Sequence, residues 1–111
     1  METITWADFE RMHLCAGTIT SVTDLPDARI PAYVLTIDFG PLGVKRSSAR
    51  ITERHTKEEL VGKQVVAVVN FPEKQIGSVM SQCLVTGFPE ADGAIILAQP
   101  AAPVPNGARL C

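Results

Sequence analysis

The stretch QVVAVVNFPEKQIGSVMSQCLV (residues 64–85) decides the fold because it places a long polar connector between two apolar runs. The β-branched run over residues 64–71 predicts a buried strand, and residues 82–88 predict another. A turn that only joined two strands could be far shorter than the connector over residues 71–82. We therefore expect the connector to form a surface that binds a ligand.

The rest of the chain predicts further short strands and two helices. Alternation over residues 31–40 places Tyr33, Leu35, Ile37 and Phe39 on one face of a strand. Capping boxes predict helices over residues 6 to about 12 and from residue 56, the second ending at Gly62. The remaining predicted strands span residues 14–22, with Gly17 marking a bend or a close backbone approach, and then 44–51 and 94–97.

This order of elements predicts an all-β, five-stranded Greek-key barrel of the OB type. It carries a short N-terminal helix, a short helix between strands 3 and 4, and an extended C-terminal arm that three prolines keep irregular. We expect one domain over residues 1–111, with the N-terminal helix in 1–13, the barrel in 14–98 and the arm in 99–111. Residues 71–82 then become the loop between strands four and five, where such barrels bind oligonucleotides or oligosaccharides.

The composition is that of a globular protein, with 111 residues, 46% of them hydrophobic and 20% charged. The first residues lack a signal-peptide pattern, and no run approaches the roughly 18 to 20 apolar residues of a membrane span. These features predict a cytoplasmic protein that does not insert into membranes. Cys15, Cys83 and Cys111 contain no C-x-x-C pair, which favours reduced thiols, and no metal site is expected.

Motifs that carry catalytic chemistry do not occur in the chain. G-x-S-x-G, the P-loop, H-E-x-x-H and G-x-G-x-x-G are all missing, so we expect neither enzymatic activity nor a cofactor. The alternative is a small enzyme that uses Cys83 or Cys15 as a nucleophile. It would require a thiol with a low pKa, whereas the apolar run around Cys83 favours a core thiol.

Positive charge is concentrated in one segment although the net charge is −2. Residues 45–74 contain seven basic and four acidic side chains, a local charge of +3, while the remaining chain has three basic and eight acidic ones. Such a segment favours an anion-binding face, and the alternative is a solvated strand and helix surface.

Candidate binding residues surround the predicted connector. Basic side chains could neutralise phosphates, polar ones could bond base edges or peptide groups, and apolar ones could stack. The candidates are Lys45, Arg46, Ser48, Arg50, Asn70, Phe71, Lys74, Met80, Ser81 and Gln82. Structural alternatives are a core position for Phe71, a strand-end turn for Asn70 and a barrel plug for Met80.

An apolar set outside the predicted barrel favours a homodimer. Trp6 and Phe9 on the first helix and Pro103, Val104 and Pro105 on the arm form this candidate interface. The alternative is that both elements fold back on their own barrel.

Several blocks of the chain resemble the tRNA-binding-domain family in order and spacing: residues 17–19, 33–40, 47–51, 59–72 and 103–107. Within that family the chain is similar to the CsaA branch of small secretion-related chaperones. The resemblance implies an OB-fold homodimer without enzymatic activity. The family recognises the folded shape of tRNA, whereas the CsaA branch binds unfolded or precursor proteins and export partners, with a peptide pocket at the barrel mouth.

The chain departs from the family pattern at positions that are often basic in relatives. It has Glu73 and Gln75 around Lys74, and Met80 and Cys15 at two further basic positions. Each lost phosphate contact lowers polyanion affinity and flattens its salt dependence. We therefore rank a peptide-binding chaperone linked to protein export first and a tRNA-binding module second.

Overall fold

The computed structural model describes residues 1–111, and strands dominate it. In chain order the elements are α1 (Trp6–Glu10), β1 (Leu14–Asp24), β2 (Tyr33–Asp38), a 3₁₀ turn (Gly40–Leu42), β3 (Val44–Ala49), α2 (Lys57–Leu60), β4 (Gln64–Val68), β5 (Lys74–Ile76), β6 (Val79–Ser81), β7 (Leu84–Val85), β8 (Gly87–Pro89) and β9 (Ile95–Leu97). Both helices begin with the predicted capping boxes, at Thr5 and Thr56.

Five strands form one antiparallel sheet in the order β3-β2-β1-β4-β7. Its two edges meet where the amide of Gln82 donates to the carbonyl of Arg46 at 2.8 Å. The Ser47 hydroxyl also donates to the Cys83 carbonyl at 3.1 Å. The sheet is thereby nearly closed into a barrel, which confirms the predicted all-β, five-stranded OB-type fold.

The alternating residues of β2 fill the barrel interior as predicted. Leu35 and Ile37 of β2 and Phe39 directly after it are fully buried, together with Ile19 from β1 and Val65 from β4. A Cβ built on Gly17 would lie 2.6 Å from side-chain atoms of Ile37 and Phe39. The predicted close approach at this glycine is therefore confirmed, because only a residue without a side chain fits.

The connector after β4 differs from the open loop that the sequence predicts. Residues 74–81 form a two-stranded hairpin, β5 and β6, whose turn uses Gly77 at a φ of 56°. Ile76 and Val79 of this hairpin pack against Leu25 and Val34 in a second, smaller core on the outside of β2. This outer core fixes the hairpin against the barrel and buries Val34, which lies on the face of β2 opposite to Leu35 and Ile37.

Element ends also differ from the prediction. Helix α1 stops at Glu10, two residues before the predicted end, and β4 stops at Val68 instead of continuing through residue 71. The predicted strand over residues 82–88 is divided into β7 and β8, and β8 pairs with β9 as a separate hairpin. Beyond Val68, Asn70 turns towards the end of α1, where its side-chain amide donates to the Arg11 carbonyl and its side-chain oxygen accepts from the His13 amide.

The C-terminal arm lies along its own barrel. Backbone bonds join Ala108 and Gly107 to Ala16, and the amide of Leu110 to the carbonyl of Leu14, so the arm occupies the open side of β1. The side-chain amide of Gln64 pairs with both backbone groups of Val104, at 2.7 and 3.0 Å. The arm is thus part of the monomer fold, as the folded-back alternative states.

None of the helices combines the length and apolar character that crossing a lipid bilayer requires.

Candidate binding pocket at the barrel rim

A pocket of about 240 Å³ opens at the rim of the barrel between the connector and β3. Five of its eight lining residues belong to the connector, and half of the lining is apolar. The lining residues are Ser48, Phe71, Pro72, Lys74, Ile76, Ser81, Cys83 and Leu84. The phenyl ring of Phe71 and the side chain of Leu84 remain about half exposed, at 49% and 50%. The connector therefore forms a wall of a partly apolar cavity that is open to solvent.

Four of the ten predicted binding residues line this pocket. They are Ser48, Phe71, Lys74 and Ser81. The hydroxyl of Ser81 accepts from the Ser48 amide at 3.3 Å and donates to the Cys83 carbonyl at 3.4 Å. Ser81 thus helps to close the barrel, whereas the Ser48 hydroxyl and the Lys74 ammonium have no partner in the structure.

The other predicted residues lie outside the lining. The side-chain oxygen of Gln82 accepts from the Arg46 amide at 3.0 Å, which seals the edge of β3. Asn70 accepts from the His13 amide at 2.9 Å and donates to the Arg11 carbonyl at 2.7 Å. Met80 is exposed on the hairpin, opposite Gln75. Gln82 and Asn70 therefore have structural partners already, and Met80 stays available at the surface.

Sequence reasoning missed four lining residues: Pro72, Ile76, Cys83 and Leu84. Alternation along the chain could have found Leu84, because an inward Cys83 requires an outward neighbour. The Gly77-Ser78 pair was the available local signal for the turn of the hairpin that positions Ile76. Pro72 and Cys83 line the pocket through the three-dimensional approach of β3 and the connector, which no local pattern encodes.

The Cys83 thiol at the base of the pocket is a weak acid. Burial raises its pKa to about 11, although the nearby positive charge of Lys45 opposes part of that rise. Burial also raises the pKa of the Cys15 thiol, where Arg109 opposes the effect. Both thiols stay protonated at neutral pH, which disfavours the alternative of a nucleophilic cysteine.

Two of the seven basic side chains in residues 45–74 are neutralised by carboxylates. Arg54 lies 2.8 Å from Glu90 and 2.9 Å from Asp92, and Lys57 lies 2.8 Å from Asp24. The hydrogen bond that Arg54 donates to Glu90 raises the pKa of Arg54, and the hydrogen bond that Lys57 donates to Asp24 raises the pKa of Lys57. The Ala94 amide and the Arg54 charge hold the pKa of Asp92 below its usual range. The local positive face is thus smaller than the sequence count indicates.

Five basic side chains of the segment have no carboxylate partner. Lys45, Arg46 and Arg50 lie on or directly after β3, and Lys74 lies on β5. Lys63 lies apart from them, beside the arm. Unpaired positive charge is therefore concentrated around the pocket rim.

A second surface joins α1 to the arm. Trp6 and Phe9 line one groove with Arg109, Leu110 and Cys111, and the last three residues continue into a second groove beside Leu14 and Val104. Trp6 is 81% exposed, and Pro103 and Pro105 are exposed next to Val104. The candidate dimer residues thus lie on or beside one continuous, partly apolar face, although the arm itself packs on its own barrel.

Comparison with known families matches residues 14–109 to the model described as a putative tRNA binding domain. The chain belongs to the tRNA-binding-domain family. It is 31% identical over 107 residues to the methionine–tRNA ligase of Flavobacterium johnsoniae, and 35% identical over 109 residues to that of Flavobacterium psychrophilum. Each match covers 96% of this chain and 15% of the ligase. The chain therefore spans about one-seventh of the length of these relatives.

Three solved structures resemble this chain over nearly its whole length. The crystal structure of the chaperone CsaA from Bacillus anthracis matches with a TM-score of 0.92 and 45% identity, covering 99% of this chain and all of that one. The CsaA chaperone protein from Picrophilus torridus matches with a TM-score of 0.91 and 41% identity, covering 98% and 100%. A MetRS-related protein from Pyrococcus horikoshii matches at 0.88 and 26%, covering both chains fully. The predicted resemblance to CsaA-like members of the family is confirmed.

Proposed function

We propose that this protein is a non-enzymatic, CsaA-like chaperone of the cytoplasm that binds unfolded or precursor polypeptides at the barrel rim. The single observation that carries the proposal is the solvent-open pocket in which apolar side chains stay half exposed. The similarity to two CsaA chaperones over nearly the whole chain supports it. Export of precursor proteins is the cellular process that we associate with this activity.

Exposed apolar walls favour a polypeptide ligand. Phe71 and Leu84 expose apolar surface at the pocket, and Met80 exposes it on the opposite face of the hairpin. Covering such surface with client side chains is favourable. A methionine side chain adapts its shape to varied partners, which suits a chaperone with several clients. The proposed binding surface comprises the ten predicted residues: four line the pocket, and the other six lie on or next to β3 and the connector.

An aggregation assay tests the proposal. The protein is expected to slow light scattering by a chemically denatured client upon dilution, and Phe71→Ala is expected to remove most of that effect. Phe88→Ala is the matched control because Phe88 is 69% exposed and lies away from the pocket. Equal protection by the wild type and the Phe71 variant would place the client elsewhere, and no protection at all would end the proposal.

A tRNA-binding role is the second candidate, and the family match favours it. The unpaired cations Lys45, Arg46, Arg50 and Lys74 could contact phosphates. This role predicts tRNA affinity that falls steeply with salt, each lost phosphate contact reducing the slope by roughly 0.7 to 0.9. The double variant Lys45→Ala with Arg46→Ala should then reduce the salt dependence of tRNA affinity by about the contribution of two phosphate contacts. Absence of a tRNA mobility shift at low salt would exclude the role.

We also propose a homodimer through the face that joins α1 and the arm. The exposed indole of Trp6 and the grooves beside Leu110 and Val104 are its physical basis. An apolar face of this kind is typical of a subunit interface.

A further inference from the structure

Some polar side chains that line the pocket are hydrogen-bonded within the protein, and others are not. Ser81 is engaged with the Ser48 amide and the Cys83 carbonyl. The hydroxyl of Ser48 and the ammonium of Lys74 are the two polar side-chain groups of the lining that have none. Both can donate hydrogen bonds, and the lysine is a cation. The pocket therefore offers donors and positive charge to its occupant, and its lining holds no carboxylate.

Charge around the pocket has one predominant sign. Residues 44–50 and 70–82 contain Lys45, Arg46, Arg50 and Lys74, and the only carboxylate in these two segments is Glu73. Glu73 is exposed and does not line the pocket. Lys45 is close enough to affect the Cys83 thiol at the base of the pocket. An occupant with a negative charge is thus favoured over one with a positive charge.

The size of the pocket limits what enters it. A dry apolar cavity of about 150 Å³ holds one benzene molecule. A pocket of about 240 Å³ therefore has room for one aromatic or large aliphatic side chain. Phe71, Ile76 and Leu84 provide the apolar surface against which such a side chain packs.

We propose that the pocket selects polypeptide segments in which an aromatic or large aliphatic residue is adjacent to Asp or Glu. The apolar side chain packs against Phe71, Ile76 and Leu84, while the carboxylate accepts hydrogen bonds from Lys74 and Ser48. This inference rests on the proposed polypeptide-binding function and adds the chemical class of the segment that is recognised. Charge complementarity with the unpaired cations distinguishes such a segment from the basic stretches of other unfolded chains.

Three labelled peptides of equal length test the inference by fluorescence anisotropy at two salt concentrations. Each carries one central Phe, flanked by Asp, Ser or Lys. A charge-assisted hydrogen bond predicts that the Asp peptide binds about tenfold more tightly than the Lys peptide at low salt. The difference should shrink at high salt because screening weakens ion pairs. Phe→Gly in the Asp peptide should reduce binding to a similar extent by removing the apolar contact.

Charge reversal at the pocket is the decisive variant. Lys74→Glu should invert the order, so that the Lys peptide binds more tightly than the Asp peptide. Ser48→Ala should weaken the Asp peptide by a few-fold and leave the Ser peptide unchanged, since one hydrogen bond is lost. Lys63→Glu is the matched control because it makes the same charge change at an unpaired lysine beside the arm. Circular dichroism of each variant verifies that the fold is kept.

The outcomes separate this inference from the proposed function. Equal binding of all three peptides, or tighter binding of the Lys peptide to the wild type, overturns the selectivity and leaves polypeptide binding intact. Inversion by Lys63→Glu as well as Lys74→Glu overturns it too, because net charge and not the pocket would then set the order. Failure of every peptide to bind, with tRNA bound in the same assay, overturns both proposals.

Discussion

At the scale of single residues, Cys83 connects the barrel core to the pocket, and its thiol is 7% exposed. Its pKa of about 11 lies above the ordinary value of 9.0 because burial disfavours the thiolate. A group whose pKa is raised by folding stabilises the protein fully below its unfolded pKa, and that contribution is lost as pH rises towards the folded pKa. The relevant window for Cys83 is therefore pH 9 to 11.

We expect the free energy of unfolding to fall by about 1 kcal/mol more in the wild type than in Cys83→Ala between pH 8 and pH 10. Urea titrations at both pH values measure this difference. Lys57, whose pKa is also raised, contributes equally to both proteins and cancels. Parallel pH dependence in the two proteins, or native Cys83 reacting with a thiol reagent at pH 8 as fast as exposed Cys111, would contradict the assignment.

Gly17 is a second residue whose identity the core requires. Gly17→Ala places a Cβ 2.6 Å from atoms of Ile37 and Phe39, both fully buried, and overpacking of this kind costs about 2 kcal/mol. Urea unfolding measures the loss. The control is the double variant Gly17→Ala with Phe39→Leu. Leucine is smaller than phenylalanine, so the double variant should lose less free energy of unfolding than the sum of the losses of the two single variants. Strict additivity would show that the cost does not come from this contact.

Single residues also show what the sequence could and could not predict. The alternation through Leu35, Ile37 and Phe39 is a local signal, and it correctly predicted the core face. The glycine at position 17 indicated a close approach, but the partner that approaches it comes from another strand. Asn70 was assigned to binding because it is polar and follows a strand, and its bonds to Arg11 and His13 depend on the distant placement of α1.

At the scale of elements, the hairpin of β5 and β6 and the arm were the least predictable parts. Each hairpin strand has three residues, too few to show a period of two. The arm was predicted to be extended because of its prolines, which is correct, but prolines say nothing about which strand edge the arm follows. Long-range pairing with Leu14 and Ala16 decides that placement.

The Gln64 side chain is expected to hold the arm in place. Its amide donates to the Val104 carbonyl at 2.7 Å and accepts from the Val104 amide at 3.0 Å, as a neighbouring strand would. Gln64→Ala should raise the hydrogen exchange rate of the arm amides by about thirtyfold, since its two hydrogen bonds with Val104, of roughly 1 kcal/mol each, are lost locally. Hydrogen exchange with mass spectrometry measures the effect.

Gln75→Ala is the matched control for this change. Gln75 also donates from its amide to a backbone carbonyl, that of Gly77, but it lies on the hairpin away from the arm. Its substitution should leave exchange in the arm unchanged. Equal protection of the arm in wild type and Gln64→Ala would mean that the backbone bonds to β1 hold the arm without help from this side chain.

At the scale of the whole molecule, charge and apolar surface are divided between two regions. The unpaired cations lie in the pocket lining, at Lys74, and along β3, which borders the pocket through Ser48. The exposed apolar residues of α1 and the arm lie on a separate face that joins two grooves. Arg109 links the two elements of that face because its guanidinium donates to the carbonyls of Glu10 and Met12. The pocket and the two grooves share no lining residue, so a dimer through this face would not use the lining of the pocket.

The proposed dimer leads to a prediction about mass in solution. Trp6→Ser combined with Val104→Asp should convert the dimer into a monomer, because it removes an aromatic anchor and adds a charge that the interface would have to bury unpaired. Sedimentation equilibrium at micromolar concentration measures the mass. Point variants are preferable to removal of residues 99–111, since the arm also completes the β1 edge and its loss would destabilise each subunit.

The control for the dimer variant is Phe88→Ser combined with Ile96→Asp, since Ile96 pairs with Phe88 and is 37% exposed, close to the 38% of Val104. Phe88 is an exposed aromatic residue on β8, and these changes match the loss of a ring and the gain of a charge outside the face of α1 and the arm. The control should keep the mass of the wild type. A monomeric wild type, or a dimer that survives Trp6→Ser with Val104→Asp, would show that this face is not a subunit interface. The apolar grooves would then require another occupant, because exposed indole and leucine side chains gain free energy from being covered.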